Sequence, residues 1–245
     1  MNKAYSALSK VYETLMDGDD YRRWADRLIT LLNENVSSGA FGYDLACGSG
    51  YFTRAIKRAG YDVVGVDISE EMLTEAKKLC AKENLNVEFL RQDMTCLKSF
   101  KKADFLTCIN DGVNYLSPER LKKAFKTFFS RLGDGGALLF DFSTEYKLRG
   151  VIGDNMFGED YDDLSYLWFN KLYDDRVEME LSVFTRVGEL FEKREESHVQ
   201  YIHTLSFMKK SLKEAGFISV KACAFGGGEI LSDTQRIEII ATKKR

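Results

Sequence analysis

The run Tyr43-Asp-Leu-Ala-Cys-Gly-Ser-Gly50, followed by Val63-Val-Gly-Val-Asp67, constrains this chain more than any other feature. An apolar strand meets an acid, a loop with two glycines opens a helix, and a second apolar strand ends on a carboxylate. This is how a doubly wound α/β protein holds an adenosine-bearing cofactor. Glycine lets a backbone approach a ligand closely. A carboxylate at the end of the second strand can accept from two neighbouring ribose hydroxyls.

The alternation continues on both sides of this unit. Two amphipathic helices are predicted first, over Tyr5 to Met16 and from Tyr21 to about Asn33, the second with Trp24, Leu28, Leu31 and Leu32 on its apolar side. Strands follow at Phe41 to Ala46, Asp62 to Val66, Asn86 to Leu90, Ala103 to Ile109 and Ala137 to Phe142. Between them lie helices with clear boundaries: Gly60 as a stop, Ser69 as a cap, and Ser117-Pro118-Glu119 as a start. Strand and helix in strict turn imply a parallel sheet with right-handed crossovers.

After strand five the rhythm changes. Tyr166 to Lys171, Arg176 to Val187 and Leu190 to Tyr201 alternate with period two and read as an antiparallel three-stranded meander. Thr204 to Ala215 returns to helix and is stopped by Gly216. Phe217 to Ala224 and Arg236 to Thr242 close the chain as a hairpin. The predicted organisation is a leader over 1–40, an α/β domain over 41–145 and 202–245, and an insertion over 146–201. The insertion has two readings, a roof over an acceptor and a surface that pairs two subunits, so both monomer and homodimer stay open.

Composition narrows the function classes. The 245 residues carry a net charge of −3, with no long basic run that would suit a nucleic acid. No apolar run is long enough for a bilayer, and the acidic start (Glu13, Asp17, Asp19, Asp20) lacks a signal-peptide core, so a cytoplasmic protein is expected with no membrane partner. Five cysteines without a Cys-x-x-Cys, beside only His198 and His203, read as reduced thiols and give no metal site.

The glycine loop departs from a dinucleotide fingerprint. In Gly48-Ser-Gly50-Tyr-Phe-Thr53, threonine stands at the third glycine, and the early acid Asp44 would repel a pyrophosphate. Asp44 suits a cofactor carrying positive charge. These residues resemble the class I S-adenosylmethionine-dependent methyltransferases. Asp44, Ala46, Gly48 and Gly50 match the family's first motif, with alanine for the commoner first glycine. Asp67 matches the second, and Asp93 in Arg91-Gln-Asp-Met94 the third. The resemblance spans about Phe41 to Phe142 and, more loosely, the closing helix and hairpin.

That resemblance implies a seven-stranded, mostly parallel sheet of order 3-2-1-4-5-7-6, with strand seven antiparallel. It implies S-adenosyl-L-methionine as cofactor. The backbone from Ala46 to Gly50 would face its methionine part, Asp44 its ammonium, and Asp67 its ribose. Asp93 would take the adenine amino group, with Ile68, Met72 and Met94 on the ring. The Asn110 carbonyl would meet the ammonium. Tyr5, Tyr12 and Trp24 in the leader would form a lid, or pack the leader onto the domain.

The transferable methyl group arrives activated, so the protein's task is in-line positioning of an acceptor. Acceptor contacts are expected from Tyr115, Asp141, Ser143 and Tyr146 at the ends of strands four and five, and from Trp168 and Tyr201 in the meander. His198 is the candidate base, since histidine is the side chain type suited to taking up and releasing a proton in general acid–base chemistry. A small-molecule acceptor is expected, and the acidic run Asp154 to Asp163 either attracts an amine or is a solvated loop. Two other functions fit the same residues: a nucleotide (NAD)-dependent oxidoreductase, and a non-enzymatic S-adenosylmethionine-binding module.

Overall fold

A computed structural model describes residues 19–99 and 101–244. Tyr5, Tyr12 and the helix predicted from Tyr5 to Met16 lie outside the described residues.

Helix α1 (Asp19–Asn35) leads into β1 (Phe41–Leu45), α2 (Tyr51–Arg58), β2 (Asp62–Asp67), α3 (Glu70–Lys82), β3 (Glu88–Arg91), β4 (Ala103–Cys108), α4 (Pro118–Arg131) and β5 (Leu132–Ser143). A π-helical turn (Tyr146–Ile152) precedes β6 (Met156–Asp160), β7 (Leu164–Leu172), β8 (Arg176–Val187) and β9 (Leu190–Tyr201). Helix α5 (Leu205–Ala215), β10 (Ser219–Ala224) and β11 (Arg236–Thr242) complete the chain.

The first sheet has seven strands in the order β10-β11-β5-β4-β1-β2-β3. Strands β1 to β5 run parallel, while β11 is antiparallel to β5 and to β10. Read from the β3 edge, this is the expected order. Leu28, Leu31 and Leu32 of α1 and Phe52 and Ile56 of α2 share a core with Phe105, Ala137 and Leu139. Phe125 and Phe128 of α4 and Met208 and Leu212 of α5 join a second core with Leu106, Leu138 and Phe140. Leu138 and Leu139, and Phe105 and Leu106, are neighbours in strands, so the two cores lie on opposite faces of one sheet.

Helix starts follow the chemistry of their caps. The hydroxyls of Ser69, Ser117 and Thr204 accept from backbone N–H groups three residues on, and Pro118 sits at the first helical position.

The second sheet, order β6-β7-β8-β9, is wholly antiparallel. It has one strand more than the meander read from sequence. The extra strand lies inside the acidic run and all five of its residues are exposed, so it carries no alternating burial to read. The register sets Phe157 beside Trp168, Trp168 beside Leu181, and Leu181 beside Glu196. Period two then puts Tyr166, Met179, His198 and Gln200 on the same face. Among the described residues no helix is long and apolar enough to cross a membrane, and no His/Cys/Asp/Glu group is arranged to hold a metal ion.

Candidate active site

The carboxyl ends of β1, β2 and β4 meet at the glycine loop. Gly48 and Gly50 have φ of +54° and +78°. A Cβ on Gly50 would stand 3.1 Å from Ala76 and 3.2 Å from the Phe89 ring, so this turn needs glycine for both conformation and space. Ala46, where the methyltransferase motif commonly has glycine, is also left-handed at φ +52°. Asn110 and Asp111, at the end of β4, share that conformation at +66° and +50°. Left-handed non-glycine residues gathered at one sheet edge are backbone strain of the kind found at functional sites.

Asp67 ends β2. Its carboxylate accepts from the Gly48 and Ser69 backbone N–H groups, each at 2.8 Å. Burial pushes its pKa up, and these backbone donors only partly offset that. Part of the carboxylate's acceptor capacity stays available.

Asp44 is fully buried in β1. It accepts from Thr53 Oγ1 at 2.6 Å and from Thr107 Oγ1 at 2.7 Å. The β1–β4 register sets Thr107 beside it, and Thr53 is the residue at the third-glycine position. The departure from a dinucleotide loop therefore supplies a hydroxyl to a buried acid. Burial, against those two hydrogen bonds, pushes the Asp44 pKa up to about 6.

Two cavities open at this edge. The smaller, about 200 Å³, is walled by Ala46, Asp67, Ile68, Asp93, Met94 and Tyr115, with Gln92, Leu116 and Arg120. Asp93 accepts from the Thr95 N–H and pairs with Arg120, each at 2.8 Å, so it is fixed in orientation with lone pairs to spare. Ile68 is 64 % exposed, an apolar side chain held at the rim. Two oriented carboxylates, apolar side chains and a glycine loop fit an adenosine-bearing cofactor.

The larger cavity, about 480 Å³, lies between the sheet edge and the inner face of the second sheet. Phe157, Tyr166, Trp168, Met179, Leu181 and His198 roof it, and Tyr21, Trp24, Asn110 and Tyr115 line its other walls. Tyr115 lines both cavities and is the wall between them. His198 and Glu196 project from the same face of β9, with His198 Nε2 3.2 Å from Glu196 Oε2 and both residues buried.

A polar cluster sits beneath this roof. Arg236, at the start of β11, donates to Asp111 Oδ1 through both Nη atoms at 3.1 Å and to Asp141 through Nη1. Its guanidinium lies 4.4 Å from the Trp24 ring centroid. Burial opposes the charge of Arg236, but the two carboxylates outweigh it and its pKa is raised. Burial likewise opposes ionisation of Asp111, yet Arg236, with help from Lys147 and Gln200, wins and the pKa falls, whereas for Asp141 burial wins and the pKa rises.

Of the residues singled out from sequence, Ala46, Asp67, Ile68, Asp93, Met94 and Tyr115 come together around the smaller cavity. Trp24, Asn110, Trp168 and His198 come together around the larger, again with Tyr115. Met72 is buried under the loop, where its Cε would lie 3.1 Å from a Cβ on Gly48, and it lines neither cavity. Asp44 is also behind the loop. Tyr146 faces a separate groove with His203 and Leu231, because the π-helical turn that begins with it points successive side chains apart and directs Lys147 inward. Tyr201 lines none of these spaces and takes part through its carbonyl, which accepts from Asn114 Nδ2 at 3.0 Å. Ser143 hydrogen-bonds Asp111 at 3.1 Å. Sequence reasoning missed Tyr21, Asp111, Lys147, Gln200 and Arg236. The only local signal for them is the position of Asp111 in the loop just beyond the fourth strand.

Comparison with known proteins gives the class. Residues 43–136 match the family model described as "Methyltransferase domain". A protein of Geobacillus sp. (strain WCH70), named only provisionally as a methyltransferase, is 30 % identical over 98 % of this chain and 99 % of its own. A crystal structure of an S-adenosylmethionine-dependent methyltransferase from Clostridium acetobutylicum ATCC 824 superposes with a TM-score of 0.88 at 31 % identity, covering 98 % of this chain and 99 % of that one. The sugar N-methyltransferase KedS8 from Streptoalloteichus sp ATCC 53650 shares the fold at 15 % identity, with a TM-score of 0.78 and coverage of 100 % and 94 %.

The chain belongs to the class I S-adenosylmethionine-dependent methyltransferases. It is an enzyme, and its cofactor is S-adenosylmethionine.

Proposed function

We propose that the protein transfers a methyl group to a small-molecule acceptor, an amine, held in the 480 Å³ cavity under the second sheet. The observation that carries this is the pair of cavities meeting at Tyr115, one fit for adenosine and the other large and mainly aromatic. In this reading Asp67 accepts from the ribose hydroxyls and Asp93 from the adenine amino group. Ile68 and Met94 cover the ring, and the loop from Ala46 to Gly50 with Asn110 holds the methionine end. The bound cofactor supplies an electrophilic methyl group.

The chain's own residues orient the acceptor, exclude water and take a proton. The aromatic walls fix the acceptor and lower the local dielectric. His198, oriented by Glu196, takes the proton of an acceptor that arrives protonated. The name sugar N-methyltransferase, printed for a fold neighbour, supports an amine by analogy alone. Five thiols without a disulfide suit a reducing, cytoplasmic setting.

The test is methyl transfer from radiolabelled S-adenosylmethionine to a panel of amines, phenols and amino sugars, with the His198→Ala variant alongside. The expected result is an amine product, with turnover in the variant lower by about 10²–10⁴-fold. S-adenosylhomocysteine affinity should stay unchanged. Transfer to oxygen only, or equal turnover in the variant, contradicts the assignment.

A further inference from the structure

One charged group in the wall of the larger cavity is left over. Lys147 comes from the π-helical turn after β5 and lines the cavity beside Asp111 and Arg236. Among the described residues its ammonium has no hydrogen bond and no ion pair. The reason is geometric. Asp111 Oδ1 accepts twice from Arg236, and Oδ2 accepts from Gln200 Nε2 at 2.8 Å and from Ser143 Oγ at 3.1 Å. All four acceptor positions of that carboxylate are filled. Asp141 is engaged by Arg236 and by the Asp111 N–H. The acids near Lys147 are therefore committed to other donors.

Polar atoms of Gln200 and Trp168, residues that line this cavity, are buried behind its surface without hydrogen-bond partners. Gln200 is 6 % exposed, and its amide is turned by the bond to Asp111 so that Oε1 is buried with no donor. Trp168 Nε1 is a buried donor with no acceptor. A buried polar atom left unpaired in a folded protein calls for a ligand or an ordered water.

We infer that the acceptor bears a carboxylate, which Lys147 binds across the cavity floor. This rests on the reading of the larger cavity as the acceptor site. Lys147 feels Asp111 and Asp141 through space but donates to neither, so its N–H donors stay available to an anion. Asp111 and Asp141 repel any anion here, and a carboxylate brings less charge against them than a phosphate dianion, so it is the better match. Burial, together with the nearby Arg236, holds the Lys147 pKa below its ordinary value, and an anion alongside would relieve both effects. The rest of the acceptor is apolar or aromatic, as Phe157, Tyr166 and Trp168 require. An amine-bearing carboxylic acid of the size of an aromatic amino acid satisfies every one of these features.

The test is calorimetric titration of the S-adenosylhomocysteine complex with paired probes. These are L-phenylalanine against L-phenylalaninamide, and 3-phenylpropionate against 3-phenylpropionamide, with phenyl phosphate as a third arm. Each acid should bind about ten to a hundred times more tightly than its amide. Lys147→Met should remove that preference and Lys147→Arg should keep most of it. Equal binding of acid and amide, no binding of either, or a preference that survives in Lys147→Met overturns the inference. Tighter binding of phenyl phosphate than of 3-phenylpropionate overturns the choice of carboxylate. Binding of S-adenosylhomocysteine is measured first. Its failure sinks the underlying assignment of the site, whereas its success without an acid preference sinks only the role given to Lys147.

Discussion

The Asp67 carboxylate accepts from the Gly48 backbone N–H at 2.8 Å, tying the end of β2 to the glycine loop. The residue read from sequence as a ribose ligand thus also holds the glycine loop in place.

Replacing Asp67 by Ala should consequently weaken S-adenosylhomocysteine binding by more than a single lost contact. A lost charged hydrogen bond is worth about 1.5–3 kcal/mol, tenfold to more than a hundredfold in affinity. Calorimetry measures this, and an affinity equal to that of the unmodified protein would remove Asp67 from the site.

Asp44→Asn separates stability from function. The folded pKa of Asp44 is raised from 3.8 to about 6, so the native state binds the extra proton. Stability is then lost as pH rises from about 4 through about 6, by up to about 3 kcal/mol. The Asn variant has no such penalty. Its urea midpoint should exceed that of the parent at pH 7.5 and approach it at pH 4.5. A difference that is constant with pH rules out Asp44 as the titrating group.

Gly50→Ala should lower stability by about 1–3 kcal/mol, since alanine would adopt a left-handed conformation against Ala76 and Phe89. In a chain of this length that is a drop of several degrees in Tm. An unchanged Tm would show that the loop relaxes freely.

Arg236→Met removes the cation that Asp111 and Asp141 share. Stranding buried carboxylates should lower stability by about 3–5 kcal/mol at pH 7. Arg236 holds the folded pKa of Asp111 down, so in the parent this stability exists above the unfolded pKa and is lost as pH falls. The gap between variant and parent should therefore narrow near pH 4. Urea unfolding at the two pH values decides it, and a gap that widens in acid contradicts the assignment.

The sheet order and the acids at the ends of β1, β2 and β3 were legible because each lies within a short local pattern, a strand running into a loop. The roof was legible only in part. Period-two alternation exposes β7, β8 and β9, but β6 buries nothing and has no alternation to show. Tyr146 and Tyr201 have the right chemistry at the right strand ends, yet the π-helical turn and the strand parity send their side chains elsewhere. The Asp111–Arg236 pair joins residues 125 positions apart. Nothing local links them, and only the antiparallel docking of β11 on β5 brings them together.

The most direct test is a crystal structure of the protein with S-adenosylhomocysteine. Adenosine should lie between Asp67 and Asp93, with the sulfur beside Tyr115 and open to the cavity under Trp168 and His198. A sulfur sealed from that cavity, or adenosine bound away from the two acids, would contradict the account.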